Sequence, residues 1–414
     1  MAKKIGLSLL AIIVIAAIAF FALAPKLAEE SMNKVDGKPL PEIRGDAQTL
    51  HKTLTIVDLH SDSLLWKRDI TERATRGHVD LPRLADGNVA LQIFSSVTKT
   101  PKDQNYDNNS ADGDNITMLA IGQMQPIRTW GSLLERSLFH AEKLDDAVKS
   151  SANVLRKMET AQELTKLLEA RKCGDCIGVS QTGDASASAG KPIGALFSAE
   201  GLHSLEGKRE NLGKLYDAGM RMAGLTHFFD NELAGSMHGE TKAGLTEFGR
   251  EIVRAMEEMG MIVDIAHLSH AGVKEVLASA RRPVVSSHGG VQATCNVNRN
   301  LSDEEIKGVA ATGGIIGVGY WPGAVCDTDP KAIAKAMKHI RDLVGIEHVA
   351  LGSDYDGAVT TRFDTSGLVH VTQALMDIGF TDDEIRAAMG GNAISVITAG
   401  LVPFANVPKE TPAE

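Results

Sequence analysis

The sequence predicts a (β/α)8 barrel of the TIM type, preceded by one N-terminal apolar helix. Two observations predict the barrel. Eight short apolar runs recur between Thr55 and Asp354, and they are continuous rather than alternating, as parallel strands covered on both faces must be. The stretches between them carry helical periodicity or turn residues, and eight strands joined by helices close into a barrel more readily than they form an open sheet.

The first element is at the N-terminus. Lys3 and Lys4 precede an uncharged run from Ile5 to Ala24, and about 20 apolar residues match the hydrocarbon thickness of a bilayer. Ala22-Leu23-Ala24 resembles a signal-peptidase site, but Pro25 would supply the scissile nitrogen. Residues 1–24 are therefore expected to be a transmembrane anchor, with a cleaved signal segment as the alternative. Either way Lys3 and Lys4 keep the start of the chain inside and the rest outside the cytoplasm, anchored to the membrane or else secreted or periplasmic. Residues 25–50 read as a polar tether, 51–404 as the barrel domain and 405–414 as a tail.

The eight expected strands are Thr55–His60, Ala90–Val97, Ile193–Glu200, Met220–His227, Met261–Ser269, Pro283–His288, Gly314–Tyr320 and His348–Asp354. Residues 98–192 exceed one crossover and read as an insertion, with a polar loop over 101–115 and extra helices including Leu144–Ala170. Residues 98–130 are expected to form a lid, and Gly183–Gly190 a flexible loop. Leu245, Phe248, Ile252, Val253 and Met256 mark one helix face, and Ser302 followed by Asp303, Glu304 and Glu305 marks a helix start.

Composition narrows the function. The 414 residues carry 43 Lys and Arg against 53 Asp and Glu, a net charge of -10, which argues against a nucleic-acid partner. Hydrophobic residues at 43% and charged residues at 23% exclude wholesale disorder. Four cysteines are too few for a disulfide scaffold.

In such barrels the reactive groups sit at the carboxyl ends of the strands. Those ends carry His60 and Asp62, then Glu200, His227, His267, His288 and Asp354. Taken singly, a strand-end histidine is more often a structural hydrogen-bonding residue, and a lone acid is more often a cap. Together, imidazoles and carboxylates converging on one mouth would repel or desolvate one another unless cations held them. The absence of thiolate suits zinc or a similar divalent metal. His60-Ser-Asp62 points two donors to one side of a strand, a mark of an amidohydrolase-like metal site. Glu200 could offer one oxygen to each of two ions, with His267 and His288 completing the shell of the second ion.

Eight ordered segments make the likeness specific: DLHSD (58–62), SAEGLHS (198–204), GLTHFFDNELAGS (224–236), GLTEFG (244–249), DIAHLS (264–269), SSHGG (286–290), NRNLSDE (298–304) and GSDYDG (352–357). Over roughly Val57 to Val396 the sequence resembles the membrane dipeptidase (renal dipeptidase) family of zinc peptidases. The resemblance implies two Zn2+ per chain, with His60 and Asp62 on one, His267 and His288 on the other, and Glu200 bridging. It implies that His227 faces substrate and stabilises the oxyanion, that Arg299 anchors the dipeptide carboxylate, and that Asp354 is the acid/base residue, with Asp356 its rival in the same segment. A hydroxide held between the two ions would attack the peptide bond. It further implies a Cys295–Cys326 disulfide, which an oxidising compartment permits, and homodimers, for which the sequence marks no interface. Cys173 and Cys176 form a lone CxxC pair, too few for a zinc ribbon. His203 is read as structural. Two other readings stand beside the dipeptidase one: a related amidohydrolase of N-acyl amino acids or lactones, and a non-catalytic envelope scaffold.

Overall fold

The computed structural model describes residues 2–172 and 191–404. The CxxC pair at Cys173 and Cys176, the loop at 183–190 and the tail at 405–414 lie outside the described residues. The strands are β1 (Lys34–Val35), β2 (Ile56–Ser61), β3 (Val89–Val97), β4 (Leu155–Lys157), β5 (Ile193–Glu200) and β6 (Met220–Gly224). Next come β7 (Ile262–Asp264), β8 (Val285–Ser286), β9 (Ile315–Val318), β10 (Val349–Leu351) and β11 (Thr360–Thr361). Eight of them, β2, β3 and β5 to β10, pair in parallel around a closed ring, with β10 returning to β2 and β3 pairing directly with β5. This is a (β/α)8 barrel, and each of its strands falls on one of the eight apolar runs.

Alternation along the strands builds two apolar layers, as a closed parallel barrel requires. Val57 and Leu59, Leu91 and Ile93, Leu196, Met222, Ile262, Val285, Ile315 and Ala350 form one buried cluster drawn from all eight strands. Ala393, Val396 and Ile397 of the last helix, Asn392–Gly400, join it. The neighbouring positions, among them Ile56, Phe197, Ala223, Val263, Ile316 and Leu351, belong to the larger cluster shared with the surrounding helices.

The insertion departs from expectation. Leu144–Ala170 is not one helical stretch: helices Leu133–Ser150 and Ala161–Lys172 flank β4. Ala152 and Asn153 take positive φ of 51° and 67°, which ends the first helix, and the chain then pairs Leu155 with Ile193 at the start of β5. The helix starts hold. Ser302 forms a full capping box with Glu305, and Thr246 caps Glu247–Met259.

The N-terminal helix runs Ala2–Met32 through Pro25, so the expected boundary between anchor and tether at residue 24 does not appear in the backbone. Its last turns dock on the barrel. Glu29, 1% exposed, pairs with Arg68 Nε at 2.7 Å and Arg76 Nε at 2.6 Å, while β1 just beyond pairs with β11. Among the described residues, no helix is long and apolar enough to cross a membrane, so the anchor expectation draws no support from the fold.

Candidate metal centre

Each expected site residue sits at the carboxyl end of the barrel. His60 lies within β2, where the pairing with β3 shifts register between Asp58 and Ser61. Such an irregularity re-aims a side chain. Asp62 follows directly, and Glu200 is the last residue of β5. His227, His267 and Asp354 lie three residues beyond β6, β7 and β10, and His288 two beyond β8. His267 and Asp354 adopt left-handed φ of 63° and 59°, uncommon for residues with a Cβ and characteristic of functional sites.

Glu200 is the hub. Its Oε1 lies 2.7 Å from His267 Nε2 and 3.1 Å from His288 Nε2. Its Oε2 lies 3.7 Å from His60 Nε2 and 3.6 Å from His227 Nε2. His60 Nε2 is also 3.5 Å from Asp62 Oδ1 and 4.0 Å from Asp354 Oδ1. Two sets of donor atoms, each within 4.8 Å of one another, share Glu200: His60, His288 and Asp354 on one side, His227 and His267 on the other. His267 and His288 nevertheless converge on the same oxygen, Glu200 Oε1, with their Nε2 atoms 3.0 Å apart, the pairing that the resemblance implies.

All these groups are buried, and burial and their mutual charges set their protonation. Burial, then Glu200, raises Asp62 to about 7. Burial and Glu200 likewise push Asp354 well above the usual carboxylate range. Burial would raise Glu200 too, but His227, His60 and the hydrogen bonds from His267 and His288 outweigh it and hold its carboxyl low. Burial keeps His267 and His288 neutral, the form that ligates metal. His60 Nε2 and Asp62 Oδ1 are buried with no hydrogen-bond partner. Unpaired buried donors and acceptors aimed at a shared centre, with imidazole and carboxylate as the donor set, fit divalent cations of the zinc type.

A model of the family "Membrane dipeptidase (Peptidase family M19)" matches residues 44–400. The chain belongs to the membrane dipeptidase family. It is accordingly a hydrolase of the metallo-dipeptidase class. Dipeptidase aclJ of Aspergillus oryzae is 35% identical over 215 residues, 50% of this chain and 51% of that protein, so the match spans about half the length of that relative. Dipeptidase verJ of Clonostachys rogersoniana is 28% identical over 330 residues, 77% of this chain and 75% of that protein. Among solved structures, the probable dipeptidase PvdM from Pseudomonas aeruginosa superposes with TM-score 0.68 at 18% identity, over 86% of this chain and 98% of that one. A metallo peptidase from Rhodobacter sphaeroides, liganded with a phosphinate mimic of the dipeptide L-Ala-D-Ala, gives TM-score 0.66 at 19% identity, over 84% and 99%. At such identities these two show the fold alone.

In this membrane dipeptidase chain Arg299 is 3% exposed and donates from Nη2 to the carbonyl of His288 at 2.7 Å. Its Nε has no partner, and it lines the same cavity as Glu200, His227 and Asp354. Asp356, the rival acid, is instead engaged by Ser63 Oγ and the His78 backbone N–H, each at 2.6 Å, and by Arg68. His203 stacks on Phe229 and meets Asn231 Nδ2 at 3.1 Å, the structural role expected of it. Cys295 and Cys326 are joined in a disulfide. Sequence reasoning missed Asp58 and Asp264, buried acids that hold Ser353 and Ser287, the residues just before Asp354 and His288. An acid within an apolar run, as in TIVDLH and MIVDIAH, was the available signal. It also missed Tyr106 and Trp321, which line the cavity and meet through Trp321 Nε1 and Tyr106 Oη at 3.0 Å.

Proposed function

We propose that the chain hydrolyses the peptide bond of dipeptides with a pair of divalent cations, zinc by donor type, held by His60, Asp62, Glu200, His267 and His288. The observation that carries this reading is Glu200, whose two oxygens face separate histidine groups at the floor of a cavity of about 580 Å3. When bound, such a pair acidifies a water and polarises the scissile carbonyl. The residues of the chain supply the rest. Asp354, as the carboxylate, takes a proton from the attacking water and passes it to the leaving amine, and burial and Glu200 raise its affinity for that proton. His227 donates to the developing oxyanion. Arg299 pairs its planar fork with the substrate's terminal carboxylate, so a longer chain is excluded where a dipeptide ends. The dipeptide mimic held by the Rhodobacter sphaeroides peptidase supports a substrate of this size.

We further place the reaction outside the cytoplasm, with the apolar segment at 5–24 directing export. The Cys295–Cys326 disulfide supports an oxidising compartment.

The test is a substrate comparison on purified full-length protein supplied with zinc. Dipeptides should be cleaved, while N-acylated amino acids, N-acylated tripeptides and lactones should not, and a chelator should abolish turnover. Faster turnover of N-acyl amino acids or lactones than of any dipeptide would refute the reading in favour of a related amidohydrolase.

A further inference from the structure

The cavity above the metal centre is larger and more apolar than two small residues require. At about 580 Å3 it falls in the range of roughly 300–1,000 Å3 that holds drug-sized ligands. Its lining joins the polar groups of the metal centre, together with Thr100, Gln104, Asn105 and Asn115, to a set of apolar side chains. One wall is the N-terminal helix, through Phe20, Ala24, Ala28 and Met32, and facing it are Ile116 and Leu119 of helix Asn115–Gly122. The first of these walls lies outside residues 44–400, the range that matches the family model.

The wall is held in place. Glu29 lies on the same helix between Ala28 and Met32, and its buried carboxylate binds Arg68 and Arg76. Arg68 in turn binds Asp356, two residues from Asp354. The β1–β11 pairing ties the chain just after the helix to the segment just after Asp356, Lys34 opposite Thr360. A helix fixed twice to the loop that carries the proposed acid/base residue is a part of the site and has a fixed distance from it.

We infer that the site selects dipeptides carrying one large apolar side chain, and that the N-terminal helix is the surface that recognises it. This rests on the dipeptidase reading above. An apolar side chain of leucine, phenylalanine or tryptophan size would leave water for the contact with Phe20, Ala28 and Ile116, while alanine would leave the same wall wet.

The experiment uses the full-length chain in detergent, zinc-replete, and measures kcat/KM for Ala-Ala and for dipeptides bearing Leu, Phe or Trp at either position. At least one large apolar dipeptide should exceed Ala-Ala tenfold or more. Ala28→Trp, which fills the cavity, and Phe20→Ser, which makes the wall polar, should each cut that ratio at least fivefold, with circular dichroism unchanged. Equal kcat/KM across the panel, or a ratio that neither substitution moves, would overturn the inference while leaving the dipeptidase reading intact. No cleavage of any dipeptide, Ala-Ala included, would overturn the reading and this inference with it.

Discussion

The carboxylate of Asp264 holds Ser287 at two points, accepting its backbone N–H at 2.9 Å and its hydroxyl as well. The Ser287 hydroxyl also meets His288 Nδ1 at 2.8 Å. Across the barrel Asp58 treats Ser353 in the same way, with its backbone N–H at 2.8 Å, next to Asp354. Two buried Asp–Ser pairs on separate strands thus fix the loops that carry two of the proposed functional side chains. Partners of this kind set the orientation of a metal ligand. Asp264→Asn should lower zinc affinity and kcat/KM by roughly 10- to 100-fold, with the fold retained. Competition against a chromophoric chelator measures the first. Unaltered affinity would show that the pair serves packing alone.

Arg299 gives a sharper test of substrate orientation. It is a buried cation with one nitrogen unpaired, and losing the partner of a buried charge pair costs about 2–5 kcal/mol. Arg299→Lys keeps the charge but loses the planar fork. We expect kcat/KM for a free dipeptide to fall roughly 30-fold or more. The same dipeptide as its C-terminal amide should be a poor substrate for the wild type and little affected by the substitution. Equal losses on both would dissociate Arg299 from the carboxylate.

Stability should depend on pH through a histidine remote from the site. Burial, then Lys143 and Arg136, lowers His140 to about 3, and its ring meets Ser96 Oγ at 2.8 Å. The unfolded chain binds a proton near pH 6.5 that the folded chain refuses. The contribution is therefore intact above pH 6.5 and is lost as the pH falls toward 3, by about 1.4 kcal/mol per unit. Thermal melts at pH 7.5 and pH 5 should show the loss, and His140→Asn should lose about 2 kcal/mol less than the wild type over that interval. An identical pH response in the variant would contradict the assignment.

The Cys295–Cys326 disulfide spans 31 residues between the loop after His288 and the end of helix Pro322–Val325. A cross-link over such a loop contributes about 2–4 kcal/mol. Replacing both cysteines by alanine should lower the denaturant midpoint by a corresponding amount while leaving KM within about twofold. An unchanged midpoint would mean that the loop is held by other contacts, such as Asn300 Nδ2 on the carbonyls of Cys295 and Ala324.

Much of this architecture was legible in the sequence because continuous apolar runs leave parallel strands few alternatives. Glu200 closes its run and ends β5 as expected. His267 and Asp354 were found by type and order, yet their left-handed backbones past the strand ends have no local signal. The pattern says where a strand is and not where the chain leaves it. Leu144–Ala170 misled because the break at Ala152 and Asn153 is set by pairing with β5, a tertiary contact. The docking of the N-terminal helix had no local signal, because Glu29 finds Arg68 and Arg76, partners that no local periodicity links.

The most direct measurement of the central claim is the metal content of the purified full-length chain beside that of Glu200→Ala. The account predicts two divalent ions per chain in the wild type, lost together with dipeptide turnover on chelation and restored by zinc. It predicts fewer than one ion in Glu200→Ala, because that carboxylate faces both donor groups. A wild type that turns over dipeptides at full rate without bound metal, or a Glu200→Ala variant that keeps both ions, would contradict it.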